Sequence, residues 1–416
     1  MKKLKMGVFG VGRGMDIAQN FMLLGVDIVA ICDFNKERLE TALPKISKDT
    51  AVYDNFDEFI EHDMDAVILA NYFHEHAPYA IKCFEKGIHV YSECISNGTM
   101  AEGIELIEAF EKSNSIYMLA ENYPQMKFNR EIKRICEGGT LGTILYAEGE
   151  YNHPGNPFNT KFRKQFNYFP EHWRNYLPRS YYITHSLGPV MWATGATPKK
   201  VMCLTRHIAN QNEEIPASSH SGDKVSIIVT QNDDGSIFRV TANATFGAHH
   251  NSYRVCGTEG QVENLRGMGE KVMLRYNEWS KPEGAAEASL YEPGWNDPDE
   301  EKIMTSGHGG GDYLTCRMFV DCIKEGHQPE HPFDVYSAVK MSSTAILAHR
   351  SMLEGGKPYD IPDFTKEEDK ELYKNDRLSP FYGSDGSAPT IPCCSDPNYK
   401  PTEKQMNLYL ESLGLK

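Results

Sequence analysis

The sequence lacks several features that would place it in other classes of protein. None of its ten cysteines forms a C-x-x-C pair and no metal-ligating spacing stands out, so we expect free thiols and no metal. No apolar run is long enough to cross a membrane. Basic residues are not in excess, and the net charge of −15 argues against a nucleic-acid partner, because phosphate binding needs a basic face.

Length and the first few residues set further expectations. The 416 residues exceed the roughly 300 at which a single hydrophobic core usually stops growing, which favours more than one domain. Residues 1–5 lead directly into a short apolar stretch, without the apolar segment or cleavage site of a secretory signal. We therefore expect a cytoplasmic protein with no membrane association.

The first third of the chain alternates short apolar runs with helical patterns, which is typical of βαβ units and a parallel sheet. Strands are predicted at residues 6–9, 27–32, 66–70 and 89–91, and helices at 16–24 and 77–86. This pattern predicts an α/β fold, with an N-terminal Rossmann domain over residues 1–123.

From about residue 143 the strands become longer and alternate in polarity. They are predicted at residues 143–151, 200–206, 224–231, 236–246 and 252–256, and helices return at 312–325 and 335–354. The turn at residues 232–235 predicts an antiparallel hairpin. We expect a C-terminal α+β domain over residues 124–364 with an open, mainly antiparallel sheet, followed by a polar, extended C-terminal arm over residues 365–416.

A glycine loop joins the first predicted strand to the first predicted helix. Gly10 allows a tight turn, and Gly12 removes a side chain that would block a pyrophosphate at the helix N-terminus. The third glycine of the usual fingerprint is replaced by Met15, with Gly14 one position earlier. The alternative is an ordinary turn, but the strand–loop–helix context favours a dinucleotide site.

Asp33 ends the second predicted strand, where an acidic residue can bond the ribose hydroxyls of a dinucleotide. A carboxylate at this point repels a 2′-phosphate, so NAD is favoured over NADP. The alternative role for Asp33 is to cap the following helix.

These residues, with three later stretches, resemble the glucose-fructose oxidoreductase/inositol dehydrogenase (Gfo/Idh/MocA) family. Residues 65–70, His76 and residues 87–93 follow the glycine loop in the family's order. The resemblance implies a Rossmann domain joined to an open antiparallel sheet, with NAD as cofactor. It implies that a larger set of residues binds that cofactor: Gly10, Gly12, Arg13, Gly14, Asp33, Asn71, His76, Glu93 and Asn122.

One position departs from the family pattern. The family's proton-transferring lysine, which follows the glutamate matching Glu93, is replaced here by Cys94, and the next proline by Ile95. A neutral thiol neither stabilises an alkoxide nor passes a proton as an ammonium does.

The later stretches narrow the resemblance to the branch of NAD-dependent α-N-acetylgalactosaminidases, which also lacks this lysine. The matching stretches are residues 148–153, 182–189, 307–313 and 334–336, within a resemblance that spans residues 5 to about 364. The branch has an N-C-C-Y-G stretch where this sequence has residues 121–125, so the resemblance does not imply an identical substrate.

Four residues are the catalytic candidates. The branch implies that Tyr151, His153, Tyr182 and His185 gather with Glu93 at the sugar and the nicotinamide. A helix starting near residue 184 would place Tyr182 and His185 on one face, and a strand would place Tyr151 and His153 on one side. A histidine that titrates near neutrality suits proton abstraction from a hydroxyl. The alternative is that these side chains only form hydrogen bonds with neighbouring residues in the core. His308 could likewise take part in catalysis or only support its loop.

A long aromatic segment separates His153 from Tyr182. Long irregular insertions often form lids or binding loops, and aromatic rings suit the faces of a sugar. The alternative is a loop at an oligomer interface. The segment contains Phe158, Phe162, Phe166, Tyr168, Phe169, His172, Trp173, Tyr176 and Tyr181.

The sequence therefore predicts an NAD-dependent oxidoreductase that acts on a secondary hydroxyl of a sugar or glycoside, with His185 or Tyr182 accepting the proton. The first alternative is an NAD-dependent glycosidase that works by transient oxidation, elimination and re-reduction. The second is a non-catalytic NAD-binding sensor. We expect a homo-oligomer, since the second domain would leave one face of its sheet exposed.

Overall fold

The computed structural model describes residues 3–156, 159 and 169–416. Most predicted elements are confirmed to within a few residues at each end. The described helices are α1 Arg13–Leu23, α2 Lys36–Ala42, α3 Phe56–Phe59, α4 His76–Glu85, α5 Met100–Glu111, α6 Lys127–Glu137, α7 Thr184–Thr194, α8 Glu300–Thr305, α9 Gly311–Glu325, α10 Val335–Leu353, α11 Glu367–Tyr373 and α12 Glu403–Leu413. No helix in the described part of the chain is both long and apolar enough to span a bilayer.

The first sheet is parallel and has the strand order of a dinucleotide-binding Rossmann domain, β3-β2-β1-β4-β5-β6. Its strands are nearly all buried, as expected for a sheet covered by helices on both faces. The order reverses between β1 and β4, and a crevice forms outside the carboxyl ends of strands at such a point. The strands are β1 Lys5–Phe9, β2 Asp27–Cys32, β3 Ala51–Tyr53, β4 Ala66–Leu69, β5 His89–Ser92 and β6 Tyr117–Leu119.

The second sheet has nine strands in the order β14-β13-β12-β11-β7-β10-β9-β8-β15. Neighbours pair antiparallel except for β7 and β10, which run parallel. The predicted open, mainly antiparallel sheet is therefore confirmed. Its strands are β7 Ile144–Asn152, β8 Pro198–His207, β9 Asp223–Asn232, β10 Ile237–Ala244, β11 His250–Gly257, β12 Gly260–Asn264, β13 Val272–Tyr276, β14 Ala288–Tyr291 and β15 Tyr359–Asp360.

Helices from the second half of the chain pack against both sheets. Helix α7 crosses β7 so closely that a Cβ at Gly149 would lie 1.9 Å from the Ser186 carbonyl oxygen, so only glycine fits there. Helix α9 packs on α1 and adds Phe319 and Val320 to the core of the Rossmann sheet. Helix α10 packs on both β8 of the second sheet and β6 of the first, and α7 carries the catalytic candidate His185.

The C-terminal segment is less extended than its composition predicts. It contains the two helices α11 and α12, and it packs on the rest of the chain through the buried residues Phe381, Cys394 and Tyr409. The composition of this segment is polar because most of its residues face solvent, and that composition indicated an extended arm. The few apolar residues that anchor it are far apart in the sequence and give no periodic signal.

Candidate functional site

One cleft opens at the point where the strand order of the Rossmann sheet reverses. Most of the predicted site residues line it: Gly10, Gly12, Arg13, Asp33, Asn71, His76, Glu93, Asn122, Tyr182 and His185. Other residues complete its wall: Phe9, Phe34, Arg38, Ala70, Tyr72, Phe73, Glu75, Cys94, His172, Trp173, Arg174 and His308. Predicted cofactor residues and predicted catalytic residues therefore face the same space.

The glycine loop has the geometry of a phosphate cradle. Gly10 has φ of +90°, and a Cβ there would lie 2.2 Å from the Ala70 carbonyl oxygen, so glycine is required. Gly12 precedes α1 and gives it no side-chain cap, which leaves first-turn N–H groups for an anion. Gly14 does not line the cleft: its Cα faces Val8, and it allows the helix to pack closely on β1.

Asp33 both supports the loop and faces the cleft. Its carboxylate accepts hydrogen bonds from the backbone N–H groups of Val11 and Asn35, each at 2.9 Å. The N-cap of the next helix is Asn35, whose side chain accepts from the Arg38 N–H, so Asp33 is not itself the helix cap. An acidic residue at this end of β2 can bond the ribose hydroxyls of a dinucleotide, and a carboxylate there disfavours a 2′-phosphate.

Three buried polar atoms of cleft residues have no hydrogen-bond partner among the described residues: Asn71 Oδ1, His76 Nε2 and Asn122 Oδ1. His76 Nδ1 bonds the Ile95 carbonyl oxygen at 2.7 Å, and burial lowers the pKa of this histidine to about 4. Its Nε2 is thus a neutral acceptor. Buried acceptors normally have a donor, so these atoms fit a ligand with hydroxyl and amide N–H groups, as NAD has.

A charged network connects the glycine loop to α9. Arg13 donates to Glu93 at 3.1 Å and to both oxygens of Asp312, which also accepts from Asn122 at 2.6 Å and contacts His308 Nδ1 at 3.0 Å. Burial would raise the pKa of Asp312, but His308 and Arg13 together hold it well below its usual range. Arg13 therefore anchors the loop to the second half of the chain.

The central feature of the cleft is a carboxylate–histidine pair. The Nδ1 atom of His185 lies 2.8 and 2.9 Å from the two carboxylate oxygens of Glu121, which is completely buried. Burial would raise the pKa of Glu121, but the neighbouring imidazole lowers it below the usual value. An ionised Glu121 fixes the proton on Nδ1 and leaves Nε2 available to a ligand.

Backbone and thiol groups complete the surroundings of Glu121. The Tyr123 N–H donates to it at 3.1 Å, and Cys94 Sγ lies 3.4 Å from its other oxygen. A Cβ at Gly188 would lie 2.9 Å from Glu121 Cγ, so this glycine of α7 makes room for the glutamate. Burial and the Glu121 charge raise the pKa of the Cys94 thiol well above its ordinary value, so it is a neutral donor here.

Three tyrosine rings surround His185. Tyr123 stacks on it with ring centres 4.0 Å apart, and Tyr151 and Tyr182 approach it edge-on at 4.9 and 5.1 Å. Burial raises the pKa of Tyr182 well above its ordinary value and that of Tyr151 to about 12. Both phenols keep their protons at neutral pH, so the geometry favours His185 over Tyr182 as the proton acceptor.

Tyr151 and His153 lie progressively further from the cleft. Tyr151 is buried behind His185, and His153 is exposed at the end of β7, where its ring stacks on Tyr151 at 5.7 Å. His153 is not among the residues that line the cleft, because the strand ends there and the chain turns outward at Pro154.

The aromatic segment contributes one wall of the cleft. Trp173 stacks on Phe73 at 5.0 Å, and the Arg174 guanidinium lies 4.3 Å from the Trp173 ring centre. The predicted lid residues Phe158, Phe162, Phe166 and Tyr168 lie outside the described residues. Trp173 and Arg174 therefore give the cleft an apolar face with a cation beside it, which suits a polyhydroxylated ring.

Sequence reasoning missed two carboxylates of this site. Glu121 was noted only as part of a departing stretch, and Asp312 only as part of a glycine-rich stretch. Spacing could not reveal either, since Glu121 is 64 residues from His185 and Asp312 is 299 residues from Arg13. For Glu121 the available signal was an acidic residue two positions after strand β6, at the carboxyl edge of a parallel sheet where ligands bind.

Comparison with known families divides the chain into two matches. Residues 4–121 match the family described as "Oxidoreductase family, NAD-binding Rossmann fold", and residues 132–371 match "Glycosyl hydrolase 109, C-terminal domain". The first match covers the glycine loop and the second covers His185 and Asp312.

Curated relatives are named as glycosyl hydrolase family 109 proteins. A glycosyl hydrolase family 109 protein 2 from Akkermansia muciniphila is 26% identical over 399 residues, covering 88% of this chain and 83% of its own. A glycosyl hydrolase family 109 protein from Porphyromonas gingivalis is 24% identical over 409 residues, covering 88% and 85%.

Solved structures share the fold at lower identity. A levoglucosan dehydrogenase in complex with NADH and levoglucosan has a TM-score of 0.72 and 17% identity over 87% of this chain and all of its own. A myo-inositol 2-dehydrogenase from Lactobacillus plantarum has a TM-score of 0.64 and 20% identity, with the same coverage. The family match of residues 4–121 identifies the N-terminal domain as an NAD-binding Rossmann domain, and the solved structures share its fold together with the second sheet.

Proposed function

The chain belongs to the glycosyl hydrolase 109 C-terminal domain family, and we propose that it oxidises a secondary hydroxyl of a bound sugar or glycoside with NAD as hydride acceptor. The observation that carries this proposal is the His185–Glu121 pair, in which His185 lines the same cleft as the glycine loop and Glu121 is buried behind it. NAD, when bound, supplies the site that takes up the hydride.

The residues of the chain supply the proton chemistry. His185 Nε2 takes the hydroxyl proton, and the Glu121 carboxylate stabilises the imidazolium that forms. Tyr182 remains protonated and donates a hydrogen bond to the sugar oxygen on which negative charge develops. His185 on α7 thus has the proton-accepting role that the family's lysine would have at the position of Cys94.

A second candidate, the glycosidase cycle, is favoured by the family to which the chain belongs. Oxidation of one ring carbon acidifies the neighbouring C–H bond, a base removes that proton, and the aglycone leaves with its bonding electrons and is protonated. Water then adds to the resulting double bond, and return of the hydride restores the hydroxyl. The glycosidase branch also lacks a lysine at the position of Cys94, so the buried, neutral Cys94 thiol is compatible with this cycle. The cofactor stays bound throughout it.

The names of the relatives and neighbours support a carbohydrate substrate. Levoglucosan and myo-inositol are compact rings with several secondary hydroxyls, and the stacked Trp173 and the cationic Arg174 suit such a ring.

One experiment separates these outcomes. The protein is incubated with NAD and a panel of sugars and aryl glycosides in deuterated water, following reduced-cofactor absorbance, aglycone release and deuterium at the ring carbons. Accumulation of reduced cofactor or a keto-sugar supports net oxidation. Aglycone release with deuterium uptake and no net reduction supports the glycosidase cycle. No signal from any substrate, with NAD binding intact by calorimetry, contradicts both.

We further propose that the protein is a cytoplasmic homo-oligomer. Met202 and Leu204 on β8 are 38% and 57% exposed while their neighbours Val201 and Cys203 are buried, so the open sheet face carries apolar side chains. All ten cysteines are free, which suits a reducing compartment. Light scattering of the wild type and of Leu204→Glu tests the homo-oligomer. An unchanged mass for the variant, or a monomeric wild type, would contradict it.

A further inference from the structure

Three side chains that the proposed reaction does not use meet where the C-terminal segment returns to the second sheet. His207 ends β8, Asp223 begins β9 and Cys394 lies in the segment between α11 and α12. Cys394 Sγ lies 3.3 Å from His207 Nδ1 and 3.6 Å from Asp223 Oδ1, and these last two atoms are 3.5 Å apart. Among the described residues, this cluster brings three potential ligand atoms within 4.8 Å of one another.

The arrangement is not that of a nucleophilic triad. In such a triad the nucleophile and the carboxylate contact opposite nitrogens of the imidazole, so that a proton can be relayed through the ring. Here Cys394 and Asp223 both contact Nδ1 of His207. The three atoms converge on one point instead.

The edges of this triangle match one face of a zinc tetrahedron. Bonds of about 2.0 to 2.3 Å at tetrahedral angles separate N, O and S ligand atoms by about 3.3 to 3.7 Å. The observed separations run from 3.3 to 3.6 Å. We propose that His207, Asp223 and Cys394 form a zinc site that fixes the C-terminal segment to the edge of the second sheet.

The surrounding groups are those expected around a zinc thiolate. The Gly222 N–H donates to Cys394 Sγ at 3.3 Å, and the backbone of Asp396 donates a second bond. Donors of this kind stabilise the charged form of a thiol. Ser395 donates to Asp223 through its backbone N–H at 3.0 Å and its hydroxyl at 2.6 Å.

The shape and charge of the site also fit zinc. A Cβ at Gly222 would lie 2.3 Å from His207 Cε1, so this glycine leaves room for the imidazole ring. The side chain of His207 is 22% exposed, which lets a water complete the tetrahedron. A divalent cation with one thiolate and one carboxylate is neutral, and a nitrogen and sulfur donor pair selects zinc over magnesium or calcium.

The site lies next to the segment that forms one wall of the cleft. Arg179 Nε donates to the Asp223 carbonyl oxygen at 2.9 Å, and the His220 N–H donates to the Asn175 carbonyl oxygen at 2.7 Å. Cys393 Sγ in turn contacts the His220 carbonyl oxygen at 3.4 Å. The proposed zinc site therefore lies beside residues 175–179, which follow Trp173 and Arg174 in the chain.

Cobalt titration of the full-length protein tests the site directly. Co²⁺ bound tetrahedrally by a thiolate gives strong visible absorption, and Zn²⁺ displaces it. We expect the metal-stripped wild type to bind one Co²⁺ per chain with this spectrum, and Cys394→Ser and His207→Gln to lose it. Cys393→Ser is the matched control and should retain the spectrum, because its Sγ contacts His220 rather than the triangle.

The result that would overturn the proposal is absence of the spectrum in the wild type, or an equal spectrum in Cys394→Ser. Zinc content of purified protein, measured by mass spectrometry after dialysis, gives a second readout that does not depend on cobalt. About one zinc per wild-type chain and none in Cys394→Ser is expected, and equal content in the two proteins would contradict the site. Neither measurement depends on catalytic activity.

Discussion

Two clusters in this chain contain the same three kinds of side chain, a thiol, a carboxylate and an imidazole. In the cleft, Glu121 lies between its partners, with His185 Nδ1 at 2.8 Å from one oxygen and Cys94 Sγ at 3.4 Å from the other. At the C-terminal segment, each atom of the His207–Asp223–Cys394 set lies within 3.6 Å of the other two. We call the first set, Cys94–Glu121–His185, the line, because Glu121 lies between the other two. We call the second set, His207–Asp223–Cys394, the triangle.

This difference in shape determines what each cluster can do. In the line, both carboxylate oxygens already accept from N–H and S–H donors, so the set fixes a proton on His185 and stabilises positive charge there. In the triangle, three atoms with lone pairs lie within 3.6 Å of one another, a spacing that suits a bound cation. Residue type alone therefore does not assign chemistry, and the geometry separates acid–base work from metal binding.

The strongest test of the line removes its imidazole. His185→Gln keeps similar size and polarity but cannot accept a proton, so turnover of any substrate that the panel identifies should fall by about 10²- to 10⁴-fold. His327→Gln is the matched control, because His327 is an exposed histidine that pairs with Glu325 far from the cleft. Steady-state rates measure the effect. A loss of less than threefold in the first variant would show that another group takes the proton.

The second test removes the charge in the middle of the line. Glu121→Gln should lower kcat by about 10- to 100-fold, since a buried hydrogen bond to a charged group contributes about 1.5 to 3 kcal/mol. KM should change little, because Glu121 acts through His185 and does not line the cleft. A matched rise in KM with unchanged kcat would instead assign Glu121 to substrate binding.

The same variant makes a prediction about pH. The pKa of Glu121 is lower in the folded chain than its usual value of 4.5, so its ionisation stabilises the fold above that pH. This stabilisation is lost as pH falls through the lowered pKa. Urea unfolding should therefore show a difference between wild type and Glu121→Gln at neutral pH that shrinks in acid. A difference that stays constant with pH would place the effect in packing rather than charge.

The triangle is tested by ligand-linked stability. Free Zn²⁺ at about ten times its Kd should raise the free energy of unfolding by about 1.4 kcal/mol, because the ion binds the folded chain in which the three ligands meet. Cys394→Ser should lose this increment and Cys393→Ser should keep it. Urea midpoints with and without Zn²⁺ measure the effect. Equal increments in the two variants would show that the ion binds at a different site.

The sequence predicted the line only in part and the triangle not at all. Periodicity and turn residues located the strands, the glycine loop and α7, because these depend on neighbours in the chain. Glu121 was missed because its partner is 64 residues away, and Cys394 because its partners are 171 and 187 residues away. Contacts of that range follow from how the two sheets and the C-terminal segment pack, which no local pattern records.

The smallest expected effect tests whether the thiol of the line is needed. Cys94→Ser keeps a donor toward Glu121 and removes one polarisable atom, so activity should stay within about threefold and stability within about 1 kcal/mol. Cys394→Ser changes the same atom in the triangle and should abolish metal binding. If Cys94→Ser lost activity as severely as His185→Gln, the thiol would be part of the proton path, and the line would be a three-membered relay rather than a pair with a neutral neighbour.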